Sequence, residues 1–202
     1  MSTICTILGK NGLGATGLVA VALLLGSGCS PKSEGGTGEN STKPANASNK
    51  NASALLVDAG DAKEKKDWKT ALASLDLVIA DPKATVEERS LAWQDKVVCE
   101  GRLHGDAAAS AALKKLEDAK IDFEAKYYFQ MGNELKDADL LHAALDVITV
   151  ATEKFKDDKL RKKQLRKFAR DLNAKLEAAG DTAGSEKLKG LGYLGGSDED
   201  DE

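Results

Sequence analysis

The chain has 202 residues, 42% of them hydrophobic and 31% charged, with a net charge of −4. That length suits one modest domain plus appendages, and that composition suits an ordinary soluble body. Three prolines, few aromatics and long runs of Ala, Leu, Lys, Glu and Asp favour helix over a β-sandwich or barrel. The slightly acidic balance excludes the basic excess expected of a nucleic-acid binder.

The first thirty residues form an address. Lys10 supplies a positive charge, and no charged residue follows between Gly12 and Gly28. Val19, Ala20, Val21, Ala22, Leu23, Leu24 and Leu25 make an apolar centre of signal-peptide length, short of the ~20 residues a membrane span needs. The segment ends in Leu25-Gly26-Ser27-Gly28-Cys29. This resembles the lipobox of bacterial lipoproteins, with Gly26 where that family prefers leucine. The resemblance implies a signal peptide over residues 1–28, cleavage before Cys29, lipidation of Cys29, and anchoring through several acyl chains, each buried CH2 contributing about 0.8 kcal/mol. Ser30 is not the aspartate that retains some lipoproteins at the inner membrane, so the resemblance favours the periplasmic face of the outer membrane. The string Gly12-Leu13-Gly14-Ala15-Thr16-Gly17 spells a dinucleotide-site pattern, but it lies inside the leader and lacks the strand-to-helix context.

Residues 29–52 comprise the lipidated Cys29 and a linker of Gly, Ser, Asn, Thr and Lys without hydrophobic period. A 23-residue coil of this kind spans roughly 25 to 30 Å.

From 53 to 189 the pattern predicts helices only. A first covers 54–66 and a second 68–80, stopped by Asp81-Pro82. Thr85-Val86-Glu87-Glu88 is a capping box opening a third helix to 103, broken by Gly105. Asp106 is expected to cap a fourth helix to 119, and Asp122 a fifth to 136. A sixth spans 139–155. A basic helix over 158–179 holds Leu165, Phe168, Leu172 and Leu176 on one stripe and ends at Gly180.

Ala59, Ala71 and Val78 are separated by twelve and seven residues, and so are Gly132, Ala144 and Ala151. Asp67-Trp68 fills the turn of the first pair, with Asp81-Pro82 after it. These spacings resemble the tetratricopeptide repeat. In the middle pair Cys99 and Ala111 keep the first spacing, but Asp118 stands where a small apolar residue belongs. The resemblance implies an all-α fold of three antiparallel hairpins stacked in tetratricopeptide-like fashion, closed by the basic helix. It also implies a groove for a protein or peptide partner. Tyr127, Tyr128 and Phe129 are the candidate contacts, because three consecutive aromatics are not expected to face one core.

The basic helix has three uses in view: a polar cap, a contact for acidic lipid or an acidic partner, and a seat for the acidic tail at 198–202. Residues 190–202 read as a Gly-rich segment and a disordered acidic tail. Gly190-Leu191-Gly192-Tyr193-Leu194-Gly195-Gly196 is expected to pack as a strap on the last helix or to serve as a docking peptide.

With Cys5 and Cys29 in the leader and its cleavage site, Cys99 is the one thiol of the body, expected to be a buried small hydrophobe. His104 and His142 lack zinc-site spacing, and no P-loop or Gly-x-Ser-x-Gly string occurs. No cofactor, metal or nucleic acid is expected, and no enzymatic activity. The expected function is a membrane-anchored adaptor or scaffold in the bacterial envelope, with a structural spacer as the alternative and an enzyme with unrecognised residues as the third reading.

Overall fold

A computed structural model describes residues 50–194. Cys29, the leader and most of the linker lie outside the described residues, as does the acidic tail. The described chain is all-α: α1 (Ala52–Glu64), α2 (Trp68–Ala80), α3 (Val86–His104), α4 (Asp106–Asp118), α5 (Ala125–Asp137), α6 (Leu141–Lys154), α7 (Lys159–Ala178) and α8 (Thr182–Gly190).

Local chemistry accounts for most of these boundaries. The Asn51 side chain accepts from the Ala54 amide and starts α1 two residues earlier than the hydrophobic pattern suggests. Asp67 caps α2 through the Thr70 amide, and Asp158 caps α7 through the Arg161 amide. Thr85 and Glu88 form the expected reciprocal box at α3. Gly105 at φ +88° and Gly180 at φ +74° make the left-handed breaks after α3 and α7.

Two expected caps are corrected. Helix α5 starts at Ala125 with Glu124 at its N-cap, so Asp122 stays in the preceding connection. Asp106 is the first residue of α4, not its cap. Its carboxylate accepts instead from the Ala143 amide of α6 at 2.8 Å. Helix α6 has no side-chain cap of its own, so α4 supplies one across the interface.

The chain continues past the basic helix. Asp181 caps α8, which folds back along α7 through a 2.7 Å bond from Ser185 Oγ to Asn173 Oδ1. Tyr193 is buried beyond it, and Leu191 and Leu194 pack half-buried on the same core.

Successive helices pair as α1–α2, α3–α4, α5–α6 and α7–α8, and α2 also packs on α3 and α6 on α7. Contacts also run from α1 to α3, α3 to α5 and α5 to α7, and from α4 to α6 and α6 to α8. In the middle pair the predicted register fails. Ala111 is exposed, and Ala109 and Ala112 take the buried positions, because the helical period from Cys99 is interrupted at Gly105.

The apolar interior has two parts that meet at α3. Leu55, Ala59, Leu75 and Val78 of the first hairpin pack with Ala92 and Cys99. Trp93, Val97 and Val98, on other faces of α3, join the larger cluster formed with α4 to α8.

Candidate functional site

Cys29, the expected lipidation residue, lies outside the described residues. Of the other candidate contacts, Tyr127, Tyr128 and Phe129, at least one was expected to be exposed, and the structure exposes none of them fully. Tyr127 and Tyr128 are buried, and Phe129 is half-buried. The physical reason is the position of α5, which packs on α3, α6 and α7 at once. A helix enclosed on several sides buries a wide arc, so neighbouring residues reach different parts of one core. Phe123 packs against both rings, at 5.2 Å from Tyr127 and 4.7 Å from Tyr128, and Phe155 lies 6.0 Å from Tyr128. Tyr128 Oη donates to Glu117 Oε1 at 2.5 Å. Burial pushes the Tyr128 hydroxyl well above the usual phenol range, reinforced by the neighbouring Glu117 carboxylate. These tyrosines are a packing unit.

Accessible features lie elsewhere. At the start of the first hairpin an open cleft of about 700 Å³ is lined by Lys50, Ser53, Leu55, Leu77, Pro82 and Glu88, among others. Leu77 is 43% exposed and Val86, at the start of α3, 49%. Ser53 Oγ donates to Glu88 Oε1 at 2.6 Å across one wall. Hydrogen bonds from the Ser53 hydroxyl and the Thr85 backbone hold the Glu88 carboxyl below its ordinary range. The cleft therefore combines leucine and proline surface with fixed charges of both signs.

A second feature is a polar line across α1, α3 and α5. Lys63 Nζ lies 2.5 Å from Asp95 Oδ1 and 3.6 Å from Glu134 Oε2, and Gln94 Nε2 donates to Glu134 Oε1 at 3.3 Å. Burial alone would lower the Lys63 pKa, but the Asp95 charge and hydrogen bond, with Glu134, outweigh it and raise it. Cys99 lies close enough to feel these charges, yet burial pushes its thiol up to about 12. It is a packed hydrophobe rather than a nucleophile.

The exposed side of α7 is the third feature. Lys159, Lys163 and Lys167 follow one another at four-residue steps, with Lys162 beside them. The opposite stripe of Leu165, Phe168, Leu172 and Leu176 is buried in the core, as the period requires.

His142 Nε2 lies 3.3 Å from Asp181 Oδ2, joining α6 to the start of α8. Among the described residues no cluster of His, Cys, Asp and Glu is arranged to hold a metal, and no helix is long and apolar enough to cross a membrane. No protein-family model, no curated protein and no solved structure matches the chain.

Proposed function

We propose that this chain is a bacterial lipoprotein, held to the cell envelope by lipid on Cys29, whose helical body serves as an adaptor for a protein partner. The observation that carries the reading is the order of its parts. The Leu25-Gly26-Ser27-Gly28-Cys29 string closes an uncharged apolar leader, a polar linker follows, and α1 opens at Ala52. An anchor, a spacer and a helical body in that sequence are what a tethered domain requires.

The adaptor role is supported by the contacts between alternate helices, which set hairpins side by side as a tetratricopeptide-like array would. With Tyr127 and Tyr128 in the core, the contact surface moves to the cleft of Leu55, Leu77 and Pro82, rimmed by Lys83 and Glu88. Its mixture of apolar floor and fixed charge suits a peptide segment better than a small metabolite. The burial of both tyrosines favours a second reading, a structural spacer that uses no specific groove.

The anchor is tested by intact mass and membrane fractionation of wild type beside Cys29→Ala in a bacterial host. Loss of residues 1–28, added acyl mass and sedimentation with membranes, all absent from the variant, support it. Two soluble proteins cut at the same place refute it. Photo-crosslinkers placed at Leu77 and at Leu160, an exposed leucine on α7, then separate adaptor from spacer. A discrete adduct from position 77 and none from 160 supports the adaptor; no adduct from either supports the spacer.

A further inference from the structure

We propose that the acidic residues 198–202 dock along the exposed basic face of α7, so that the chain closes its own C-terminal end electrostatically. This goes beyond the anchoring and partner-binding reading and does not depend on it.

The first argument is charge. Lys159, Lys163 and Lys167 stand at i, i+4 and i+8, where helix geometry stacks them on one face, and Lys162 lies on the adjoining row. Among the described residues no ion pair is found for these four lysines, while Arg166 and Arg170 of the same helix do have partners. The carboxylates of α7 and its cap are engaged with other cations: Asp158 lies 3.9 Å from Arg161 Nε, and Asp171 lies 3.9 Å from Lys136 Nζ. Like charges at four-residue spacing repel, and between Lys159 and Arg170 the helix carries no acid. The sequence Asp198-Glu199-Asp200-Asp201-Glu202 supplies five carboxylates in a row, with no lysine or arginine after Lys189.

The second argument is reach. The chain turns at Gly180 into α8, where Ser185 bonds Asn173 and Lys189 lies 3.6 Å from Glu177, so α8 stays beside the last turns of α7, about 15 Å of helix from Lys167. Tyr193 is buried and Leu194 half-buried on the core that α7 shares, which fixes where the tail departs. Eight residues follow Leu194, enough for up to ~26 Å of extended chain. Lys159 and Lys167 are separated by only about 12 Å of helix. A segment tied this closely acts at an effective concentration in the millimolar range.

The test uses the full chain, purified in detergent, with a carbodiimide that joins a carboxylate to a lysine amine with loss of water. Peptide mapping should find tail adducts at Lys159, Lys162, Lys163 and Lys167 several-fold enriched over the exposed Lys65, Lys83 and Lys120. The enrichment should disappear in about 1 M salt, where screening shortens to ~3 Å. Adducts spread evenly over all exposed lysines, or formed only between chains, would overturn the proposal. A second measurement avoids reliance on cross-linking. Neutralising the tail (Asp198→Asn, Glu199→Gln, Asp200→Asn, Asp201→Asn, Glu202→Gln) should raise the amine-labelling rate of the α7 lysines several-fold while leaving Lys65, Lys83 and Lys120 unchanged. Labelling of the α7 lysines that ignores the tail but falls on adding anionic vesicles would assign the face to lipid and overturn the proposal.

Discussion

The Asp106 carboxylate, on the first residue of α4, accepts a hydrogen bond from the Ala143 amide at the start of α6. One side chain thus belongs to one hairpin by sequence and completes the next by geometry. Asp106→Ala should cost about 1–2 kcal/mol, the usual loss of an N-cap. Amide exchange should rise first in the opening turn of α6, not in α4. Asp106→Asn should retain most of the stability. Exchange that rises in α4 alone would show that the cross-hairpin bond contributes nothing.

Tyr127 and Tyr128 offer a paired test of what a buried hydroxyl is worth. The Tyr127 hydroxyl is buried and makes no hydrogen bond, with the Lys126 ammonium 4.7 Å from the ring centroid. Tyr127→Phe should therefore be neutral or stabilising by up to about 1 kcal/mol. The Tyr128 hydroxyl donates to Glu117, and Tyr128→Phe should cost roughly 0.5–1.5 kcal/mol. Denaturant midpoints of the two variants decide it, and equal midpoints would contradict the difference in their surroundings.

Two glycines on helices should respond oppositely to alanine. A Cβ on Gly132 would come within 2.9 Å of Phe168 Cζ and 3.4 Å of Val147 Cγ1. Overpacking of this kind costs about 1–3 kcal/mol and outweighs the helix-propensity gain of ~1 kcal/mol. A Cβ on Gly60 meets nothing within 4 Å, so Gly60→Ala should stabilise by up to about 1 kcal/mol. Thermal unfolding of both variants beside wild type gives the signs directly.

Lys63 links three helices through Asp95 and Glu134, and Lys63→Met should cost about 1–3 kcal/mol at neutral pH, since it leaves two carboxylates without their cation. Its pKa is raised in the folded state, so its contribution is complete below the unfolded lysine value of about 10.4 and is lost as pH climbs through the folded value. The stability gap between wild type and Lys63→Met should therefore narrow as the pH climbs into strong alkali. A gap that stays constant through strong alkali would show that the Lys63 charge contributes nothing.

Cys99 is fully buried and its thiol pKa stands at about 12. Thiol reagents at neutral pH should label it only through opening of the fold, at a rate that rises with denaturant. Fast labelling of the native protein would place the thiol at the surface and refute the packing of α1 on α3.

Where a boundary is written in a few adjacent residues, it was legible. The box of Thr85 and Glu88 and the breaks at Gly105 and Gly180 all act within one turn of chain. The misreadings share a different cause. Asp106 looks like a local cap but spends its carboxylate on a helix far along the chain. The tyrosines of α5 look too many for one face because the number of neighbours around a helix is not a local property. Helix α8 is short and glycine-containing, and its packing on α7 and α6 holds it where propensity alone would not. For the candidate site, the string around Cys29 lies outside the described residues. The cleft depends on how α1, α2 and the start of α3 converge, which spacing does not encode.

The division of the interior at α3 has a mechanical consequence. The described chain begins just before α1, and α1 and α2 are held mainly by small side chains: Ala52, Ala59, Ala62 and Ala71, with Leu55, Leu75 and Val78. The remaining helices share a much larger core rich in leucine and aromatic rings. A pull applied along the N-terminal segment therefore loads the weaker cluster first. The leading hairpin can peel from α3 while the rest stays folded, so the first extension of a pulled chain comes from α1 and α2 alone.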